Sequence, residues 1–435
     1  MPIAADDFDF VRSTGLIDQL VAADKLVAEV ILDKDILGEV ASGVYHVLEH
    51  PRLPYISYPY EWSFSALKSA ALFHLDLQQA ALQKDVSLTD ATAYNVQFVG
   101  AKPIFIDHLS FSRYSEGEYW AGHRQFCEQF INPLLLRSVL GIAHNAWYRG
   151  ALDGISAEDL RNILPWRSRL SWNILTNVFM QARLQKKSGA DIDAIHRAKS
   201  KRLPRIGYTQ ILHGIRRWIA KLEPKADGNS VWQDYASDNS YTDEENRKKR
   251  QFVADFVTKV RPGLLLDVGC NTGDYSALAL ENGAGYVVGF DFDQGALDHA
   301  FHRSQRESLN FLPLHLDAAN PNPAQGWRES ERMGFQERAN GDAVLGLALI
   351  HHMAIAKNLP LGSAVNWLVE MAPQGIIEFV PKADPMAQRL LLLREDLFDD
   401  YNASSFESQL SRNANIVSSL KVSGSGRTLY WFDRT

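Results

Sequence analysis

Leu264-Leu265-Leu266-Asp267-Val268, followed by Gly269-Cys270-Asn271-Thr272-Gly273, decides the fold of the second half of this chain. The first five residues are a short apolar run of the kind that becomes a buried strand. The next five make a glycine-bearing turn, and a helix is predicted from about Asp274 to Asn282. Strand, tight turn and helix in that order suit a nucleotide-type ligand. Glycine lacks a Cβ, so the backbone turns sharply and approaches the ligand, and the helix start presents free N–H groups.

Two glycines in a turn prove little by themselves, and the elements that follow add more. Gly285 to Phe290 (GYVVGF) reads as a second strand ending at Asp291, 18 positions beyond Gly273. A carboxylate there accepts hydrogen bonds from both hydroxyls of a ribose. A third strand, Leu309 to Leu316, ends at Asp317-Ala318, where a carboxylate suits an adenine amino group. A dinucleotide oxidoreductase shares the first of these units, but its turn is G-x-G-x-x-G. Here the third glycine is missing, and Asp267 repels a pyrophosphate while suiting a ligand that carries an amino acid.

The DVGCNTG turn, Asp291 and Asp317 resemble the class I (Rossmann-like) S-adenosylmethionine-dependent methyltransferases over about 200 residues. That resemblance implies an α/β domain with a mostly parallel seven-stranded sheet. It also implies S-adenosylmethionine as cofactor, lined by Asp267, Gly269, Asn271, Gly273, Asp291 and Asp317. Within that group the chain is similar to bacterial methyltransferases of the nodulation-protein NoeA type, through DAVLGLALIHHM (342–353), IIEFVPKADPM (376–386) and REDLFDDY (394–401).

Ala343 to Ile350 reads as the fourth strand, with His351-His352 at its carboxyl end, the edge that faces the ligand crevice in open α/β sheets. Either imidazole is a candidate base for an acceptor hydroxyl or amine. The alternative is that one caps the next helix and the other packs in the core. Glu378 lies in or after a fifth strand, near enough in order to suggest a metal with the two histidines or an ion pair with Lys382. Asp293 serves the ribose or caps a helix. Ahead of the first strand, Tyr235 and Tyr241 in WQDYASDNSY offer aromatic faces to the sulfonium and adenine.

The N-terminal half reads as a long helix from Trp62 to Leu82 and two short strands, Asn95 to Val99 and Pro103 to Ile106, around Gly100-Ala101-Lys102. More helix follows, from Tyr119 to Leu140 and around Trp172 to Leu184. Asp90, Asn95 and Asp107 have the spacing of the catalytic-loop Asp, the metal-holding Asn and the second metal-holding Asp of protein-kinase-like and aminoglycoside-kinase-like folds, which this half resembles. The pattern departs from that family at Leu88-Thr89 and at His108-Leu109. About 60 residues precede the hinge-like YPYEW (58–62), with no glycine-rich loop and only Lys25 and Lys34 as candidate lysines. The resemblance therefore implies a degenerate kinase-like domain with a reduced N-lobe.

The bulk numbers agree with two soluble domains, 1–225 and 226–435. Apolar residues are 46% and charged residues 22% of 435, and the net charge of −7 disfavours nucleic acid as a partner. The basic stretch Arg197 to Arg217 reads as a solvated linker and helix face. Two cysteines, Cys127 and Cys270, are too few for a disulfide framework. The start MPIAADDFDF carries no secretory signal, and INPLLLRSVLGIA (131–143) is too short to span a bilayer. The expectation is a cytoplasmic methyltransferase, with no membrane partner, acting on an O or N of a small-molecule, sugar or peptidic acceptor. Its rivals are a bifunctional protein with an active ATP-dependent N-terminal half and a non-catalytic S-adenosylmethionine-binding protein.

Overall fold

The computed structural model describes residues 2–41, 43–183, 202–225, 242–392 and 395–434. The chain divides into two compact units, one of Met1–Leu53, Ser57–Phe98 and Lys102–Asp227, the other of Pro54–Ile56, Val99–Ala101 and Gly228–Thr435.

Among the described residues the first unit holds three two-stranded pairs: β1 (Val30–Leu32) with β2 (Val47–Glu49), β3 (Val86–Leu88) with β6 (Phe111–Arg113), and β4 (Val96–Val99, its last residue counted with the second unit) with β5 (Lys102–Phe105). The helix Phe64–Leu82 starts two residues later than expected, because Ser63 caps it, its Oγ accepting from Ala66 N at 3.3 Å. Its His74 is fully buried among Phe105, Trp120, Phe126 and Phe130. The helix expected from Tyr119 begins at His123 and runs through a π-helical stretch to Leu140.

Asp90, Asn95 and Asp107 sit on the loops around the β4–β5 pair. Asn95 Nδ2 donates to Asp107 Oδ2 at 3.2 Å, and Ser110 Oγ donates to the same oxygen at 2.6 Å. Asp107 Oδ1 accepts from Leu109 N, and Asp90 Oδ1 from Thr92 N. These carboxylates hold their own turns.

The second unit is built on one sheet of seven strands: β7 (Leu264–Val268), β8 (Tyr286–Asp291), β9 (Phe311–His315), β10 (Ala343–Gly346), β11 (Gln374–Phe379), β12 (Asn415–Lys421) and β13 (Thr428–Asp433). Their order is β12-β13-β11-β10-β7-β8-β9, and only β13 runs against its neighbours. From β7 the chain steps outward through β8 to β9, then returns to the other side of β7 for β10 and β11. That reversal makes the β7/β10 junction the topological switch point, where such sheets bind ligands outside their carboxyl ends. Leu265, Val287, Leu345 and Ile376 fill the core beneath it with Val253, Phe256 and Val257 of the helix Asp243–Val260. Thr242 and Glu245 form a capping box at that helix's start.

The fourth strand is shorter than the apolar run suggested. It stops at Gly346, Leu347-Ala348 form a turn, and Ala348 takes a left-handed φ of 50°. A non-glycine residue pays steric strain there, and such strain gathers at functional sites. The chain is helical by Ile350, so His351 and His352 start a helix rather than end a strand.

Candidate active site

The turn after β7 is shaped by its own backbone. Gly269 and Gly273 have φ of 88° and 80°, and Asn271 shares the left-handed region at 49°. Gly269 N and Cys270 N both donate to Phe290 O, at 2.7 and 3.0 Å, which ties the turn to the end of β8. Any side chain at Gly273 puts its Cβ 2.4 Å from the Phe311 ring. That glycine is a packing requirement as well as a conformational one.

Asp291 closes the same loop. Its Oδ2 accepts from Asn271 N at 2.8 Å and its Oδ1 from Asp293 N at 2.9 Å. The Phe292 backbone N–H is a third donor to this carboxylate, so one lone pair is left for an incoming hydroxyl. Burial pushes its pKa up, against the backbone donors that hold it down. Asp293 itself caps the helix Gln294–Glu307 through Ala296 N at 2.7 Å.

Around these residues lies a cavity of about 570 Å³. That volume is ordinary for a small-molecule site, roughly 300–1,000 Å³. Gly269, Asn271, Asp291, Asp317, His351 and His352 all stand on its wall. Asp267 and Gly273 do not. Asp267 is buried beneath the turn, where Ser276 Oγ donates to its Oδ2 at 2.6 Å. Burial raises its pKa to about 6, with the Ser276 bond working against the rise and Asp291 adding to it. It supports the turn from below instead of facing a ligand. Tyr235 and Tyr241 lie outside the described residues.

Asp317 accepts from Ala319 N at 3.0 Å and lies 3.5 Å from Lys357 Nζ. The Lys357 ammonium also stands 5.6 Å from the Phe292 ring, which is 59% exposed on the cavity wall. Phe292 therefore offers a planar apolar face beside Asp291 and Asp317. Sequence reasoning passed over it, although its place directly after the ribose acid was a usable signal.

The cavity wall also carries Lys249, Tyr275 and Arg427, which the sequence did not single out. Lys249 donates to Glu378 Oε2 at 2.7 Å with both side chains buried, and stands 5.0 Å from the Tyr275 ring. Arg427 grips Asp384 with two hydrogen bonds, Nε to Oδ2 at 2.7 Å and Nη2 to Oδ1 at 2.8 Å. Burial alone raises Asp384, but the bonds from Arg427 and Ser425 outweigh it and hold the carboxyl below its usual range. Glu378 thus pairs with Lys249 rather than Lys382, whose partner is Asp396 at 2.7 Å. This overturns the reading of Glu378 as a metal ligand with the histidines, because its carboxylate is turned to an ammonium.

The His351 and His352 rings are 4.2 Å apart. His351 is 1% exposed, and neither ring nitrogen has a hydrogen-bond partner among the described residues. Burial, then His352 and Arg427, lower its pKa well below 6.5. Burial and Arg427 lower His352 to about 4. Both imidazoles are neutral near pH 7.

The residues fit S-adenosylmethionine. Asp291, Phe292 and Asp317 line the cavity together with the turn at Gly269 to Thr272. No family model matches the chain. Nodulation protein NoeA of Rhizobium meliloti (strain 1021) is 48% identical over 438 residues, covering 99% of this chain and 91% of that protein. Among solved structures, the N-methyltransferase NodS of Bradyrhizobium japonicum WM9 matches 44% of this chain and 97% of its own, at 13% identity and a TM-score of 0.33. The magnesium protoporphyrin IX methyltransferase ChlM of Synechocystis PCC 6803 matches 51% and 95%, at 17% identity and a TM-score of 0.33. The second unit has the mostly parallel seven-stranded α/β sheet that the sequence resemblance implied, and the chain belongs to the family of nodulation protein NoeA.

Proposed function

We propose that this protein transfers the methyl group of S-adenosylmethionine to an oxygen or nitrogen of a small-molecule, sugar or peptidic acceptor, and that the first unit recognises the acceptor. The observation that carries the catalytic reading is His351. A buried imidazole with two unbonded nitrogens costs about 1–3 kcal/mol, and it stands on the cavity wall. A bound acceptor hydroxyl or amine recovers that cost by donating to the free nitrogen.

S-adenosylmethionine supplies a methyl group on a positively charged sulfur, ready for displacement. The protein's part is placement and proton handling. Asp291 and the Gly269 to Asn271 turn fix the donor end. His351 orients the acceptor's lone pair and receives its proton as the new bond acidifies the attacking atom. The two neutral rings add no positive charge of their own beside the acceptor.

The test is acceptor-dependent methyl transfer from radiolabelled S-adenosylmethionine, screened over sugars, small amines and alcohols, and short peptides. Transfer that disappears in His351→Ala while S-adenosylhomocysteine still binds supports this assignment. Binding without transfer to any acceptor favours a protein that only holds the cofactor.

A second reading concerns the first unit. The Asn95–Asp107 hydrogen bond brings together two residues with metal-binding spacing. If that unit binds nucleotide, the full chain binds ATP with Mg²⁺ and Asp107→Asn abolishes the binding. A wild-type chain that ignores ATP removes this reading.

A further inference from the structure

Between Leu160 and Ala190 the chain carries Arg161, Arg167, Arg169, Arg183, Lys186 and Lys187 and neither Asp nor Glu, although its net charge is −7. The described part of this stretch belongs to the first unit and leaves large apolar side chains in water. Trp166 is 68% exposed, Leu170 80% and Trp172 72%. The 3-10 turn Trp166–Leu170 has no buried residue at all. It packs beside the helical segment 172–180, which packs in turn against the helix Ala157–Ile163. Met180 and Ile163, both more than a third exposed, extend the apolar surface along those neighbours.

The cations border this surface. The Arg167 guanidinium lies 5.6 Å from the Trp166 ring, and that of Arg169 lies 5.0 Å from the Phe179 ring. Among the described residues neither meets a carboxylate. Exposed apolar patches rimmed by charge mark contact sites. Two indoles and a leucine, flanked by guanidiniums that meet no carboxylate among the described residues, match one environment in particular. Tryptophan prefers the level of lipid headgroups, aliphatic side chains reach the acyl region, and arginine meets headgroup phosphate. Leu170 separates this from single-stranded nucleic acid, since an aliphatic tip has no ring face for stacking on bases.

We infer that the face formed by Trp166, Leu170 and Trp172, with Arg167 and Arg169 at its edge, docks on the surface of an anionic lipid bilayer. This is contact with one leaflet, not a span. It departs from the expectation of no membrane partner, while among the described residues no helix is long and apolar enough to cross a membrane. It does not depend on the methyltransferase reading.

The experiment is co-sedimentation of the full chain with vesicles of phosphatidylglycerol and phosphatidylcholine in equal parts, against vesicles of phosphatidylcholine alone. The wild type is expected to bind the anionic vesicles at least tenfold more tightly. The triple variant Trp166→Ser, Leu170→Ser, Trp172→Ser should lose that binding at least tenfold, and Arg167→Gln with Arg169→Gln should lose the preference for anionic lipid. Quenching of wild-type tryptophan emission by brominated phosphatidylglycerol reads insertion without any variant. Failure of the wild type to bind anionic vesicles overturns the proposal, as does a well-folded serine variant that binds equally. Retention on a polyuridine oligonucleotide but not on vesicles overturns it in favour of nucleic acid. A lipid-free dimer that the serine variant dissociates overturns it in favour of a second copy of this chain.

Discussion

Lys249 and Glu378 meet at 2.7 Å with side chains 4% and 0% exposed, joining the helix that precedes the seven-stranded sheet to β11. Two charges taken out of water repay their desolvation only through each other, so removing one leaves the other stranded. Glu378→Gln or Lys249→Met is expected to lower unfolding free energy by about 3–5 kcal/mol. Lys249→Met combined with Glu378→Leu should recover most of that loss. Urea denaturation followed by circular dichroism checks both. If the double variant is no more stable than the singles, the pair is a larger network than this contact.

Asp291 carries a separate prediction, because its carboxylate lies at the cavity and holds the turn through Asn271 N. Asp291→Ala should weaken S-adenosylmethionine binding by about 1–3 kcal/mol, roughly 5- to 150-fold, through loss of charged hydrogen-bond acceptors. Asp291→Asn retains one acceptor oxygen and should fall between. Calorimetric titration with S-adenosylhomocysteine reads this without any acceptor. Unchanged affinity in Asp291→Ala removes the ribose assignment.

Asp267 and His352 oppose each other in acid. Asp267 has its pKa raised to about 6, burial being the main cause. The folded state therefore holds its proton more tightly than the unfolded chain, and this contribution is full below about pH 4 and lost as pH rises through 6. His352 is lowered to about 4, so the folded state resists the proton that the unfolded chain accepts near 6.5. Its contribution is full above 6.5 and lost as pH falls through 4. Across pH 4–6 the two slopes offset. Asp267→Asn should add about 2–3 kcal/mol above pH 6 and steepen the loss of stability in acid. His352→Gln should flatten or reverse that acid loss. Thermal melts from pH 4 to 8 on the three proteins decide it. Parallel curves for all three would show that neither group titrates as its burial demands.

The sheet was legible from sequence because its signals are local. β7, its turn and β8 fall within 28 residues, and Asp291 is placed by the length of one crossover helix. The wall at Lys249 and Arg427 was not legible, since Lys249 meets Glu378 129 residues later and Asp384 meets Arg427 43 residues later. One hint was available: Lys249 sits four residues before Val253 on the buried stripe that continues through Phe256 and Val257. An apolar run alone also misjudged β10. AVLGLALI fits a strand throughout, but the left-handed turn at Ala348 ends it early and sends the histidines into a helix. In the first unit the spacing of Asp90, Asn95 and Asp107 gave proximity. It could not say that the Asp107 oxygens are engaged by Leu109 N, Asn95 and Ser110.

His351 supplies the last prediction, since its proposed role depends on staying neutral. Its burial, with the positive charge of Arg427 nearby, favours the uncharged ring far into acid. In carbon-13 NMR of histidine-labelled protein, its Cε1 resonance is expected to titrate well below 6.5 and to vanish from the spectrum of His351→Gln. Once an acceptor is in hand, kcat should fall by about 10²–10⁴ in His351→Ala, while affinity for S-adenosylhomocysteine changes less than about twofold, a difference below 0.5 kcal/mol. Wild-type activity should hold level from pH 8 to below 6, because no proton is taken up by the ring in that range. An acid limb centred near 6.5 that disappears in His351→Ala would mean the ring is accessible to solvent and charged in the working enzyme. A variant that keeps full activity would instead leave His351 as a core residue beside the cavity, and would move the search for the acceptor contact to His352 and Arg427.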